Sequence, residues 1–367
     1  VRGEAGPKAS AGEGRRPPTT RPVAGRPLGL PLGWLAGGAA LLVASVLLGV
    51  TAGAADISAA GIVRHLLSLV APRVESPLTD RQAALLVELR LPRVVMGAVV
   101  GALLATAGGA YQGVFRNPLA DPYLLGAAAG AGLGATLVMV FGQELTDTPR
   151  SLVPAAAFVG ALLGVAAAYA LGSTAGGGGT ASLVLAGVAV SSFLSAAQTL
   201  VQQIGADQLR RIFSWLLGGL GREGWDDVRL VAPYAVVSLL VLLLCGYLLD
   251  MLALGDEKAM SLGLNPAVVR VVVIGAASLA TAAAVAVSGL IGFVGIVVPH
   301  VVRRLVGANY RAILPVTVFL GGAFMVVVDI VARTIVAPAE LPLGVVTAFL
   351  GAPFFLLILR TTRHRTT

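Results

Sequence analysis

The chain has 367 residues, 57% hydrophobic and only 12% charged. Soluble domains carry about 25% charged residues, so this composition with long apolar runs excludes a soluble globular fold. The net charge is +8, mostly arginine, and no basic stretch is interleaved with aromatics, which argues against a nucleic-acid partner.

Residues 1–33 are rich in Gly, Pro, Arg and Thr and lack apolar periodicity. They read as a disordered basic tail on the cytoplasmic side. The first apolar run, from Trp34 to about Thr51, is long enough to cross a bilayer and has no clear cleavage site after it. It reads as an uncleaved span rather than a signal peptide. Ile57, Ala60, Val63, Leu66, Leu67 and Val70 then recur at helical spacing, which predicts an amphipathic helix outside the core, ended by Pro72 and Pro77.

Nine further apolar runs follow, at about 94–114, 123–142, 152–172, 182–203, 229–249, 268–288, 290–306, 313–335 and 342–360. The run at 290–306 contains Pro299 and His300 and reads as a span or as a short re-entrant element. Backbone groups in lipid must pair internally, so these runs are helices. The expected fold is all-α, with about ten transmembrane helices over residues 34–360 and a cytoplasmic tail at 361–367. The 47 glycines fit close helix packing.

An even number of spans puts both termini on one side, and Arg360, Arg363 and Arg365 agree with the basic N-terminal tail that this side is cytoplasmic. Arg116, Gly176–Gly179, Asp256, Glu257, Lys258, Arg303, Arg304 and Arg311 then lie in cytoplasmic loops. The outer side holds Arg64, Arg73, Arg81, Arg90, Arg93, Arg210, Arg211 and Arg222. A face that basic calls for an acidic partner.

The two lysines, Lys8 and Lys258, stand in no phosphate-binding loop, so the chain has no ATP site of that kind. One cysteine, Cys245, and three separated histidines give no metal cluster and no intrachain disulfide. No nucleophile elbow and no catalytic carboxylate pair is present. The chain reads as a non-enzyme with no cofactor.

Arg90 and Arg93 bracket Leu91-Pro92 at the start of a span. They read either as anchors that snorkel to the interface or as a docking point for carboxylates. Asp329 and Arg333, four apart in an apolar run, read as an intrahelical ion pair or as a functional intramembrane charge. The stretch 252–266, LALGDEKAMSLGLNP, reads as a short capped helix between two spans, a connector or an element offered to another protein. Asn117-Pro118 and Asp121-Pro122 are turn and capping signals. Gly176–Gly179 is a loop or a hinge.

These motifs together resemble the FecCD-type permeases of bacterial ABC importers. The resemblance rests on LRLPR (89–93), GGAYQGVFRNPLADPYLLG (108–126), LALGDEKAMSLGLNP (252–266), SGLIGFVGIVVPHVVRRLVG (288–307) and DIVAR followed by AELPLGVVTAFLGAPFF (329–355). It implies a type II importer permease of ten spans in the bacterial plasma membrane. The partners implied are a second copy of the chain, two ATP-binding subunits inside, a substrate-binding protein outside, and lipid.

By the same resemblance, Arg90, Arg93 and Arg333 are docking residues for the binding protein. Gly255, Asp256, Glu257, Leu262 and Gly263 belong to the helix that couples to the ATPase. Gly179, Thr180 and Ala181 fall at the cytoplasmic gate, though the family's more hydroxyl-rich sequence is missing there. A ferric siderophore is the first substrate implied, with haem or cobalamin as alternatives. An ion-coupled secondary transporter is the rival from another class. It would need a coupling carboxylate near mid-membrane, and Asp329 is the acidic residue placed well inside a run.

Overall fold

The computed structural model describes Gly3 and residues 32–52, 58–71, 75–142, 149–174, 180–221 and 224–363. Most of the expected N-terminal tail, Arg73, Gly176–Gly179, Arg222 and the last four residues lie outside the described residues. Among the described residues every regular element is helical. In order these are α1 (Leu32–Thr51), α2 (Ala59–Val70), α3 (Asp80–Ala84), a π-helical turn (Leu85–Arg90), α4 (Leu91–Phe115), α5 (Ala127–Phe141), α6 (Pro149–Thr174) and α7 (Thr180–Ile204). They continue with a 3-10 turn (Ala206–Gln208), α8 (Leu209–Leu216), α9 (Trp225–Leu244), α10 (Gly246–Ala253), α11 (Asp256–Ser261), α12 (Pro266–Ser288), α13 (Val294–Val306), α14 (Tyr310–Thr334) and α15 (Leu343–Arg363).

Each of the ten expected runs contains a helix. Seven helices in the described residues are long and apolar enough to cross a bilayer. The run at 290–306 is helical only over α13, whose 13 residues reach about 20 Å, short of a ~30 Å hydrocarbon core. Pro299 does not break it. Phe293, at φ 68, turns the chain into its first residue. Among the boundaries that move, α1 begins at Leu32, inside the range read as tail, and α15 carries its helix through Arg363.

The interior helix is α4. Its apolar window is 83% buried, against 17% for α7. Alanine and glycine line it where α12, α13 and α14 pack. At Gly101 a Cβ would collide with the carbonyl of Gly321 in α14, so the two backbones approach as only a residue without a side chain permits. Short side chains thus bring the two helices together where lipid supplies no hydrophobic drive.

The chain enters α4 through the π turn. Leu91 N donates to Leu86 O, five residues back, and Pro92 follows at the start of the α-helix. Proline has no N–H and its ring clashes with the carbonyl four residues earlier in a regular helix. The widened turn falls just where that clash would arise. Trp225 Nε1 takes one of its carbonyls, Val87 O, at 2.7 Å and ties α9 to the turn.

The amphipathic helix α2 presents its faces differently from a simple core-facing stripe. Gly61, Ile62 and His65 are buried, whereas Val63 and Leu67 of the apolar stripe are exposed. Ser58 caps it, accepting from Gly61 N. His65 Nδ1 and Ser76 Oγ lie 2.7 Å apart and hold the following segment against it.

Candidate functional site: two charged clusters at opposite ends of α4

The first cluster gathers Arg90, Arg93 and Arg333 at the N-terminal end of α4. Arg93 donates through Nε and Nη2 to Asp329 Oδ1 at 3.0 and 2.8 Å. Its Nη1 and Nη2 also donate to Glu340 Oε1 and Oε2 at 2.9 and 3.0 Å. One guanidinium therefore joins α4 to α14 and to the α14–α15 connection. The i,i+4 pair expected within α14 is present as well, with Arg333 Nε 3.3 Å from Asp329 Oδ2. The side chain of Asp329 is 2% exposed, so it lies buried between two arginines. Buried charges are retained when paired in this way.

Arg90 and Arg333 share a second target. Arg90 Nη1 donates to Val50 O at 3.1 Å. Arg333 donates to Ala52 O at 2.6 Å and to Gly49 O. These carbonyls close the C-terminus of α1, where a helix leaves four acceptors without intrahelical donors. Cations there also meet the negative end of the helix dipole. Nothing in the sequence near residues 49–52 marks this contact, because the donors lie 40 and 281 residues away.

Glu340 is the half-exposed member of the cluster, and the hydrogen bonds from Arg93 hold its carboxyl below the usual range. Beside it opens a cavity of about 1210 Å³, lined by Arg93, Met139, Arg210, Arg211, Trp215 and Glu340 among others. Arg210 and Arg211 come from α8. Asp227, also on the wall, is engaged at the start of α9, accepting from Gly224 N at 2.9 Å. Sequence reading placed Arg210 and Arg211 on the basic side, but the cavity itself arises where α5, α6, α8, the start of α9, the end of α12 and the α14–α15 connection meet.

The second cluster stands at the other end of α4. There Arg116, at φ 49, ends the helix. Asp256, the first residue of α11, accepts from Arg116 and from Arg270 of α12, the latter at 2.8 and 2.7 Å. Its neighbours in α11 divide by face. Ala259 is fully buried, while Glu257, Lys258, Met260 and Leu262 are exposed. Gly255 at φ 105 and Gly263 at φ 84 flank the helix in backbone conformations that L side chains rarely adopt. Gly263 N and Leu264 N donate back to Met260 O and Ala259 O, a glycine-terminated helix end.

Nearby, Asp250 accepts from Tyr310 N at 2.5 Å and caps α14, while Arg303 Nη2 donates to Tyr310 Oη at 2.8 Å. Thr180 opens α7 and Ala181 is exposed. Gly179 lies outside the described residues, so the gate segment is described only in part. Among the described residues no group of three His, Cys, Asp or Glu could hold a metal ion.

Residues 41–361 match the family model described as the FecCD transport family. The cobalamin import system permease protein BtuC of Halobacterium salinarum is 41% identical over 277 residues, 76% of this chain and 73% of that protein. The hemin transport system permease protein HmuU of Yersinia pestis is also 41% identical, over 282 residues, 76% of this chain and 84% of that one. A solved metal-chelate type ABC transporter in an inward-facing conformation superposes with a TM-score of 0.78 at 30% identity. It covers 90% of this chain and 99% of that one.

Proposed function

The chain belongs to the FecCD transport family, and from that premise we propose that it is the permease subunit of an ABC importer for a metal chelate, with a ferric siderophore as substrate. The observation that carries the reading is the pair of clusters at the two ends of one buried helix. The Arg93–Glu340 end offers charge toward a partner. The opposite end offers α11 with Glu257, Lys258, Met260 and Leu262 exposed.

In this reading the Arg93 end faces outward and receives the substrate-binding protein through Arg90, Arg93 and Arg333. The stretch Gly255–Gly263 enters the ATPase subunit on the cytoplasmic face, and both termini are cytoplasmic. A second copy completes the pathway. Large apolar side chains left uncovered on α7 and α15, among them Leu185, Phe193 and Phe349, support a partner or lipid on those faces. Thr180 and Ala181 sit where the gate would close. The permease itself makes no covalent bond. ATP hydrolysis belongs to the separate ATPase subunits.

The rival reading as an ion-coupled carrier has little to stand on. Its one candidate carboxylate, Asp329, is held by Arg93 and Arg333 near the end of its helix rather than alone at mid-membrane.

Haem and cobalamin stay as the alternative substrates because relatives named for each are equally similar. The test is an uptake panel with proteoliposomes holding this chain, an ATPase subunit and a binding protein, offered a ferric siderophore, haem and cobalamin. ATP-dependent accumulation of the siderophore alone is the expected result. Accumulation that survives ATP depletion and is abolished by an uncoupler would sink the importer reading.

A further inference from the structure

We infer that Asp256 is a positioning residue whose carboxylate yokes the short helix α11 to α4 and α12, so that movement of α11 reaches the bundle core. The inference rests on the reading of α11 as the ATPase-facing element. It departs from the simplest version of that reading, in which both acidic residues of α11 touch the ATPase.

Three observations carry it. First, α11 has six residues, too few to hold a position by helix formation alone. Second, it hangs between Gly255 and Gly263, both at positive φ, and no atom lies within 4 Å of where a Cβ at either would stand. Gly263 N and Leu264 N fasten the end of α11 to its own carbonyls rather than to the spans, so apart from the backbone itself a push on the helix passes to the bundle through the side-chain contacts it makes. Third, its contacts to the bundle include the buried Ala259 and the Asp256 carboxylate, whose oxygens are engaged by Arg116 and Arg270. Arg270 reaches both oxygens, and its side chain is 12% exposed.

The two anchors are well placed for the purpose. Arg116 ends α4 and Arg270 lies in the first turns of α12, the two spans with the highest buried share, 83% and 78%. Along α4 the same rigid rod leads to Arg93 and the first cluster. An ion pair this exposed contributes little to stability. Its geometric role, a fork onto two core helices, is therefore the larger consequence. Glu257, exposed and without an ion pair among the described residues, is left to face the partner.

The test uses the assembled transporter in proteoliposomes and reads ATPase association, ATP hydrolysis and substrate uptake together. Asp256→Asn should retain the ATPase subunits and hydrolyse ATP, while uptake per ATP falls about tenfold, within the usual range of a coupling effect. Asp256→Glu should recover part of that loss. Arg116→Gln with Arg270→Gln should reproduce the loss with Asp256 intact, and decides the matter if Asp256→Asn does not assemble in the membrane. Loss of ATPase binding by inserted Asp256→Asn would make Asp256 a direct contact and overturn the inference. So would wild-type uptake per ATP in Asp256→Asn or in the double arginine variant. Failure of the unaltered chain to bind any ATPase would instead overturn the importer reading.

Discussion

Arg93 and Glu340 meet through two near-parallel hydrogen bonds of 2.9 and 3.0 Å, although 247 residues separate them. Glu340 thereby occupies, from within the chain, the same guanidinium edge that a docking carboxylate would use. The pairing ties the Arg93 cluster into a closed network with one half-exposed acid.

If a binding protein docks on Arg93, Glu340 competes with it. Glu340→Gln should tighten docking a few-fold at low salt, with the gain shrinking as salt screens the exposed pair. Arg93→Glu should weaken docking. Titration of binding protein against the permease at two salt concentrations checks both. Docking unaffected by either change would return Arg93 to a purely structural role.

Protonation of Glu340 provides a pH test with a definite sign. Hydrogen bonds from Arg93 depress its pKa in the folded chain. Its contribution is thus fully present above the ordinary carboxylate range and is lost as pH falls through the depressed value. The Arg93–Glu340 contact should survive acidification to the ordinary glutamate pKa of about 4.3 and open only below it. Infrared carboxylate bands of wild type against Glu340→Gln follow this directly.

Asp329 is buried between Arg93 and Arg333. Asp329→Ala leaves two largely buried guanidinium groups without their shared carboxylate. Removing one member of a buried pair costs about 3–5 kcal/mol. Thermal unfolding of purified protein in detergent should show a clear drop. A loss under about 1 kcal/mol would mean that water or lipid headgroups replace the carboxylate.

Arg333 also closes the end of α1 through Gly49 O and Ala52 O. Arg333→Met keeps much of the side-chain stem and removes the donors. The expected cost is about 1–3 kcal/mol, the range for leaving a buried acceptor unsatisfied. Hydrogen exchange should rise selectively in the last turn of α1. Uniform change across the bundle would point to global loosening instead.

At Gly101 the backbones of α4 and α14 approach too closely for any side chain. Gly101→Val should separate the two helices or prevent assembly, costing more than the ~1–3 kcal/mol usual for overpacking because a backbone carbonyl cannot move aside like a side chain. The same change at Gly275, where nothing lies within 4 Å of a Cβ, should be tolerated. Yield and monodispersity of the two variants in detergent compare them.

Composition and the order of apolar runs already determined an all-helical membrane protein, because continuous apolar runs of about 20 residues match a spanning helix whereas a barrel strand takes only about ten. The helical spacing of Asp329 and Arg333 offers their ion pair as one of two readings, and the glycines around α11 mark its ends. Motif order was enough to point to the family. What only the tertiary structure decided were the partners across long separations. Arg93 meets Glu340, Arg90 and Arg333 close α1, and Asp256 turns to Arg116 and Arg270. Local periodicity reports which face of a helix is apolar and is silent about which distant charge faces it. That choice is made when small residues such as Gly101 and Gly321 let α4 and α14 close, bringing Arg93, Asp329 and Arg333 within reach of one another.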